Sequence, residues 1–253
     1  MNPGPVSGEI AAIIFVALLV GAVTKGVTGF GLPMVAVPLL SGLLGVERAV
    51  VVMVIPTFVS NFWLLWEHRT HVTAARRALP LFLTAGVIGT IVGAAALAAL
   101  SAQALALILA AWLGLYLVMQ FSNPGIAVPV RSRRPLGAAV GFIAGLAQGA
   151  MGVPGPIVAT WFHALRLEPA VYVFSVCAVF FVTSGVQIVS LSLLGLLAGD
   201  RLIEGLFALI PTMIGLPLGI RLARFIDARI FNWCLLAILG LTEMRLIWQG
   251  LFE

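Results

Sequence analysis

The sequence predicts an all-α polytopic membrane protein made of two inverted-topology repeats, each a broken or re-entrant helix pair followed by three transmembrane helices. Three observations lead to this fold class. Of the 253 residues, 62% are hydrophobic and only 9% are charged, whereas a soluble domain carries roughly 25% charged residues. Apolar segments of membrane-spanning length recur along the whole chain. A glycine- and proline-rich interruption around Gly31 returns 121 positions later at Gly152.

The chain divides into a first repeat at 1–121, a polar and turn-rich cytoplasmic linker at 122–135, and a second repeat at 136–253. Segments of about 20 apolar residues cross a ~30 Å hydrocarbon core, whereas segments of about 12 to 15 do not cross it as straight helices. The predicted segments of the first repeat are 9–27, 33–44, 48–66, 77–99 and 102–121. Those of the second repeat are 136–150, 154–165, 169–197, 203–223 and 228–250.

The short segments flank two glycine-rich breaks, Gly26 to Pro33 in the first repeat and Gly149 to Pro156 in the second. Each repeat therefore opens with either a re-entrant hairpin or two short spans. Backbone groups freed at membrane depth cost several kcal/mol unless they face a partner or a wet cavity. Corresponding breaks in two halves of a membrane protein are typical of a solute-binding site. We expect the site of this protein at the two breaks.

Matching residues at a constant spacing indicate an internal duplication. A shift of 121 positions aligns Gly31 with Gly152 and Pro33 with Pro154. In later segments, a slightly larger shift of 126 positions aligns Gly89 with Gly215 and Gly93 with Gly219. Self-similarity of this kind is the signature of repeated units.

The distribution of basic residues predicts that the two repeats have opposite orientations. Loops rich in Arg and Lys stay in the cytoplasm, and alternating the predicted spans places ten of the fourteen basic residues on that side. Equivalent loops then fall on opposite faces: 45–48 lies outside and 166–168 inside, while 68–77 lies inside and 197–204 outside. Inverted repeats are the geometry of alternating access, in which one central site opens to either face.

Lys25 is the residue that points most directly to an anion. It precedes the first break, and an intramembrane ammonium tends to face a cavity or pathway because its burial in lipid is costly. Thr28 offers a hydroxyl, Gly29 and Gly31 allow close approach to backbone N–H groups, and the short helix near Pro33 presents its positive end. The alternative is that Lys25 snorkels to an interface while the glycines serve helix packing.

In the second break, Gln148 occupies nearly the position of Lys25, and Gly149 and Gly152 follow it. We expect Gln148 to supply neutral donors to the same ligand, with an interhelical hydrogen bond as the alternative. Polar stripes flank both breaks, since Thr57, Ser60 and Asn61 share one helix face. Thr183, Ser184 and Gln187 form the counterpart. Asn61 and Gln187 are predicted to flank the site, although Ser and Thr also bond to their own helix.

Several other classes of site are not expected. The basic residues lie singly or in pairs between apolar spans, so they do not form a nucleic-acid-binding face. Cys177 and Cys234 lie inside apolar segments and are predicted to be packing residues. The three histidines have no metal-ligand spacing, and no metal or other cofactor is expected. No cleavable signal peptide is expected either, because no basic n-region precedes the first apolar segment.

The repeated Gly-x-Gly-x-Pro type break, the short helix ending in Pro38-Leu39-Leu40 and the duplicated layout resemble the TauE/SafE family of sulfite and organosulfonate exporters. The resemblance covers essentially the whole chain. Family members commonly have three adjacent glycines in each break, whereas here Phe30 separates Gly29 from Gly31. The resemblance implies export of a small sulfur-containing anion across the bacterial cytoplasmic membrane.

The leading hypothesis is therefore a multi-pass secondary transporter of the bacterial inner membrane, with a small anionic substrate and with membrane lipids around it. A passive anion channel is an alternative. An intramembrane enzyme is a weaker one, because neither break contains the Asp, Glu, Ser or His that such chemistry uses. The sequence leaves open the substrate's identity, the direction of transport, the coupling ion and whether the protein is a homodimer.

Overall fold

A computed structural model of the chain describes residues 8–29, 31–75, 79–122, 129, 132–225 and 239–248. All regular structure within these ranges is helical, which confirms the predicted all-α class. The first half contains α1 (Gly8–Thr28), α2 (Leu32–Leu44), α3 (Val46–Glu67), a 3₁₀ turn (Arg69–His71), α4 (Val72–Ala75), α5 (Pro80–Ala99) and α6 (Ala102–Ser122). The second half contains α7 (Arg133–Met151), α8 (Gly155–Ala164), α9 (Pro169–Leu193), α10 (Asp200–Phe207) and α11 (Leu209–Leu222). Residues 239–248 are also helical.

Five helical stretches among the described residues are long and apolar enough to cross a membrane. They are α1, α3, α5, α9 and the combined stretch of α10 and α11, Asp200–Leu222. Most of the predicted segments match the observed helices to within a few residues. The protein is a multi-pass membrane protein.

The second half differs from the prediction at two places. The segment predicted at 203–223 is two helices, α10 and α11, which meet at Ala208. Helix α9 stops at Leu193 instead of continuing to 197, because the chain turns at Gly195 and Gly199, whose φ angles of 73° and 55° belong to the left-handed region that favours glycine. Part of the last predicted segment, 228–238, lies outside the described residues, as do Arg76, Arg77, Arg131, Arg229 and Cys234.

Glycines bring two pairs of helices into direct backbone contact. A Cβ atom on Gly145 of α7 would lie 2.0 Å from the carbonyl oxygen of Gly86 in α5, and one on Gly89 would lie 2.1 Å from that of Phe142. A Cβ on Gly219 of α11 would likewise lie 2.2 Å from the carbonyl oxygen of Val23 in α1. Small residues at helix interfaces allow this approach, on which helix association in membranes depends.

The two glycine contacts are reciprocal. The first helix of the second half, α7, packs on α5 of the first half, and the first helix of the first half, α1, packs on α11 of the second. Helices α5 and α11 carry the glycines that the duplication aligns, Gly89 with Gly215 and Gly93 with Gly219. Each half therefore contributes the same kind of contact to the other. The inverted orientation of the two repeats stays a prediction.

Helices α3 and α9 form an antiparallel pair between the halves. Phe181 of α9 stacks on Phe58 of α3 with a 4.6 Å centroid distance and also contacts Phe62 at 5.7 Å. A Cβ on Gly185, one turn further along α9, would lie 3.2 Å from the Phe58 ring. Increasing residue number in α9 thus corresponds to decreasing number in α3, and this pair carries the polar stripes predicted from the sequence.

The start of α3 is joined to α10 by two ion pairs. Arg48 forms a bidentate pair with Glu204, in which Arg48 Nε lies 3.0 Å from Glu204 Oε2. Glu47 pairs with Arg201. Glu204 is completely buried, whereas the Glu47 and Arg201 side chains are about one-third exposed. Loops 45–48 and 197–204, both predicted outside, therefore lie at the same face of the protein.

Candidate functional site

The first break is a short non-helical joint between α1 and α2. Helix α1 ends at Thr28, and the Gly29 amide still donates to the Lys25 carbonyl at 2.7 Å. Gly29 and Gly31 have φ angles of 81° and 114°, which L-residues with side chains rarely adopt. Gly31 then caps α2, with Pro33 in its first turn. Helix α2 folds back on α1, where a Cβ on Gly21 would lie 2.8 Å from the Leu32 carbonyl oxygen.

Lys25 lies in the protein interior with only 1% of its surface exposed, so it does not snorkel. Its Nζ donates to Asn61 Oδ1 at 2.7 Å and to Ser60 Oγ at 3.1 Å. Asn61 Nδ2 in turn donates to the Thr57 carbonyl at 2.7 Å, which orients Oδ1 toward the ammonium. Within the described part of the chain, two of the three ammonium protons have partners, and both partners are neutral.

Lys25 is the one buried cation in the described ranges, and Glu204, already paired with Arg48, is the one buried carboxylate there. A buried charge is costly unless it is paired and hydrogen-bonded. Neutral oxygens compensate an ammonium only in part, since hydrogen bonds between two ionised groups are stronger. The Lys25 ammonium is therefore suited to receive an anionic oxygen.

The second break has the same layout with amides in place of the ammonium. Helix α7 ends at Met151, and Gly152 follows with a φ of 69° and an amide that donates to the Gln148 carbonyl at 2.9 Å. Gln148 Nε2 donates to Gln187 Oε1 at 2.6 Å. Gln187 Nε2 donates back to the carbonyls of Gln148 and Gly149 at 2.7 and 3.2 Å. The interhelical bond, which was the alternative interpretation of Gln148, is thus present, and it uses one of the amide protons that were expected to serve the ligand.

One polar atom of this amide pair has no partner. Gln148 is only 1% exposed, and its Oε1 accepts no hydrogen bond from any described residue. The assignment of its amide oxygen and nitrogen is fixed by the Gln187 oxygen, which requires a donor opposite it. An acceptor that is buried without a donor costs about 1–3 kcal/mol, so Oε1 is open to a ligand or a water molecule.

The remaining predicted site residues have mixed surroundings. Thr28 Oγ1 donates to the Thr24 carbonyl of its own helix at 2.9 Å. A Cβ on Gly29 would meet no atom within 4 Å, so space is open beside it. A Cβ on Gly31 would contact the side chains of Thr24 and Thr28 at 3.3 and 3.5 Å. These residues lie together at the first break.

The two glycines of the second break serve packing. A Cβ on Gly149 would lie 2.2 Å from the Thr90 carbonyl oxygen of α5, so this glycine permits the contact between α5 and α7. Gly152 faces Val50 and Val37 of the first half, whose side-chain carbons would lie 3.6 and 3.7 Å from a Cβ. The second break thus packs against α2 and α3, and the chain brings the two halves together here.

Two further residues contribute to the breaks. Ser60 of the predicted polar stripe contacts Lys25 directly. Trp112 donates from Nε1 to the Val153 carbonyl at 2.7 Å. It thereby satisfies a backbone group that the second break leaves without a helical partner, and no local sequence pattern indicates that contact.

Five spanning helices, two broken helix pairs and a buried ammonium beside one break define a polytopic membrane protein of the transporter type. The family model described as "Sulfite exporter TauE/SafE" matches residues 13–246, and the chain belongs to this family of membrane transporters. The family predicted from the sequence is therefore confirmed. No curated protein and no solved structure matches the chain significantly.

Proposed function

We propose that this protein exports a small sulfur-containing anion, such as sulfite or an organosulfonate, across the bacterial inner membrane by alternating access. The buried Lys25 ammonium beside the first break carries the proposal. Among the described residues, the ammonium is held only by the neutral oxygens of Ser60 and Asn61, so an entering anion meets a cation whose charge no described carboxylate neutralises. Family membership supports the choice of a sulfur oxyanion.

The binding step follows from the hydrogen-bonding capacity of the ammonium. Lys25 Nζ can donate a third hydrogen bond, and an anionic oxygen is a stronger acceptor than the hydroxyl of Ser60. Helix α2, 13 residues long, begins at the same break and presents its positive dipole end there, and a Cβ on Gly29 would meet no described atom within 4 Å. An anion held there is compensated without full hydration.

The transport step rests on the reciprocal packing of the halves. Helix pairs α1 with α11 and α5 with α7 contact through glycine backbones, and small residues let the helices approach closely. Two such contacts are suited to rocking of one helix group against the other around a fixed site, which is how inverted repeats alternate access. A passive channel would lack this coupled movement.

The test is flux of sulfite and of organosulfonates in proteoliposomes. Lys25→Met keeps the length and removes the charge, and replacing a buried ion by an apolar residue of similar volume does not by itself unfold a protein. We expect this variant to fold but to lose flux. The matched control is Ser175→Ala, which removes a buried hydroxyl that bonds only the Val171 carbonyl of its own helix. We expect the control to keep wild-type flux.

Retention of wild-type flux and affinity by Lys25→Met would remove Lys25 from the site. Saturable flux that builds up substrate against its own gradient, when an ion gradient is imposed, supports a coupled transporter. Flux that never exceeds equilibration under any imposed gradient would instead favour the channel.

A further inference from the structure

The strongest unexplained feature of the interior is the acceptor oxygen of Gln148. We propose that the site has two chemically different ends, and that Gln148 Oε1 recognises a hydrogen-bond donor on the solute whose anionic group binds Lys25. The preferred solutes would then be sulfur oxyanions that carry a hydroxyl, ammonium or acidic hydrogen. This inference rests on the proposed function and adds the chemical class of the substrate.

The relative position of the two ends follows from the antiparallel pair α3 and α9. Phe58 lies opposite the stretch between Phe181 and Gly185. Asn61 is three residues from Phe58 in one direction, and Gln187 lies about four residues from the middle of that stretch in the other. At a rise of ~1.5 Å per residue, their backbones are about 10 Å apart along the helix axes.

The side chains shorten this separation. Every Cα–Cβ bond of a helix tilts toward its N-terminus, and α3 and α9 run in opposite directions. The Asn61 and Gln187 side chains therefore lean toward each other, and the bond from Asn61 Nδ2 to the Thr57 carbonyl shows this for Asn61. A sulfonate with a two-carbon spacer is therefore the probe we propose for this separation, with its anionic group on Lys25 and its far end on Gln148.

The chemistry of the two ends differs because their hydrogen bonds are already assigned. At the first end the ammonium can only donate, so it selects an anionic acceptor. At the second end Gln187 uses its amide protons on the carbonyls of Gln148 and Gly149, and it accepts the proton of Gln148 Nε2. What remains at the second end is Gln148 Oε1, which attracts a hydrogen-bond donor, together with the second proton of Gln148 Nε2.

The experiment compares two matched sulfonates in proteoliposomes. Isethionate is ethanesulfonate with one added terminal hydroxyl, so the two compounds differ only in the donor. We expect isethionate to compete with sulfite flux about five-fold more strongly than ethanesulfonate in the wild-type protein, the worth of one neutral hydrogen bond. In Gln148→Met we expect the two to compete equally, while Ser175→Ala keeps the preference.

Equal competition by the two sulfonates in the wild-type protein would overturn the inference, even if Gln148→Met failed to fold. A preference for isethionate that persists in folded Gln148→Met would also overturn it, because Oε1 would then hold only water. In both cases sulfonate-sensitive sulfite flux would leave the proposed function standing. Absence of any sulfite or sulfonate flux would instead reject the proposed function itself.

Discussion

Lys25 Nζ and Asn61 Oδ1 are 2.7 Å apart, although the two residues belong to different helices and are 36 positions apart in the chain. This bond fixes the ammonium on the α3 side of the first break. Whether the side chain at position 61 is neutral or charged therefore controls what Lys25 can bind. A neutral amide oxygen leaves the positive charge available, whereas a carboxylate at the same place would consume it.

Asn61→Asp is therefore predicted to weaken sulfite binding and transport while keeping the protein folded. The new carboxylate would pair with Lys25 at the same distance and compete with the substrate from within the site. We expect the apparent affinity for sulfite to fall at least about ten-fold, since a charge-assisted pair must be displaced. Saturation of sulfite flux in proteoliposomes measures this.

The control for that variant is Ser60→Ala, which removes the weaker Lys25 partner without adding a charge. We expect it to change the apparent affinity much less than Asn61→Asp. If Asn61→Asp transports sulfite with unchanged affinity, the anion does not depend on the charge of Lys25.

A second prediction concerns the glycine contact between α5 and α7. Gly145→Ala would place a Cβ 2.0 Å from the Gly86 carbonyl oxygen, and backbone on both sides leaves little room to adjust. We expect a loss of about 1–3 kcal/mol or more, the range for overpacking in a dense core. Thermal unfolding in detergent measures it.

Gly155→Ala is the matched control, because a Cβ there would meet no atom within 4 Å. It should leave the unfolding temperature near that of the wild-type protein. Equal unfolding temperatures for Gly145→Ala and Gly155→Ala would show that α5 and α7 are not in backbone contact.

The helices were predictable from the sequence because the bilayer imposes a simple rule. Every backbone polar group must be satisfied within its own segment, so apolar length alone located α1, α3, α5 and α9. The short helices α2 and α8 were predictable for a related reason, since Gly29, Gly31 and Gly152 have backbone angles that need glycine.

The contacts between helices were less predictable. The position of Lys25 indicated a buried cation, but its binding to Ser60 and Asn61 depends on how α1 and α3 are rotated against each other. The split between α10 and α11 at Ala208 also escaped prediction, although Gly205 lies three residues before it and Pro211 lies in the first turn of α11. Proline in a first helical turn was the signal that could have located the joint, whereas the rotation of α1 against α3 is set by tertiary packing.

A third prediction concerns the two ion pairs between α3 and α10. Glu204 is fully buried against Arg48, so Glu204→Gln leaves a largely buried guanidinium without its counter-charge. We expect a loss of about 3–5 kcal/mol, as for other buried pairs that lose one partner. The exposed pair of Glu47 and Arg201 should matter far less, and Glu47→Gln should cost at most about 1 kcal/mol.

Thermal unfolding of Glu204→Gln and Glu47→Gln, at low and at high salt, compares the two pairs. Only the stability difference caused by Glu47→Gln should shrink as salt rises, since exposed charges are screened. Equal effects of the two substitutions would show that Glu204 is accessible to water.

The final prediction concerns the protonation state of sulfite. The sulfite dianion takes up one proton near neutral pH, so lowering the pH converts it to singly charged hydrogensulfite. That form carries one charge, which the single ammonium of Lys25 matches, and it is too short to reach Gln148 Oε1 at the same time. We therefore expect sulfite to bind more strongly as the pH falls through this ionisation and more weakly as it rises.

Ethanesulfonate supplies the reference, because its charge does not change in this range and any titration of the protein affects both compounds. The measured quantity is the apparent affinity for sulfite divided by that for ethanesulfonate, in proteoliposomes at a series of pH values. The ratio should fall by about ten-fold for each pH unit above the ionisation of sulfite, because the bound form becomes that much rarer. A ratio that stays constant or rises with pH would show that the dianion is the bound form.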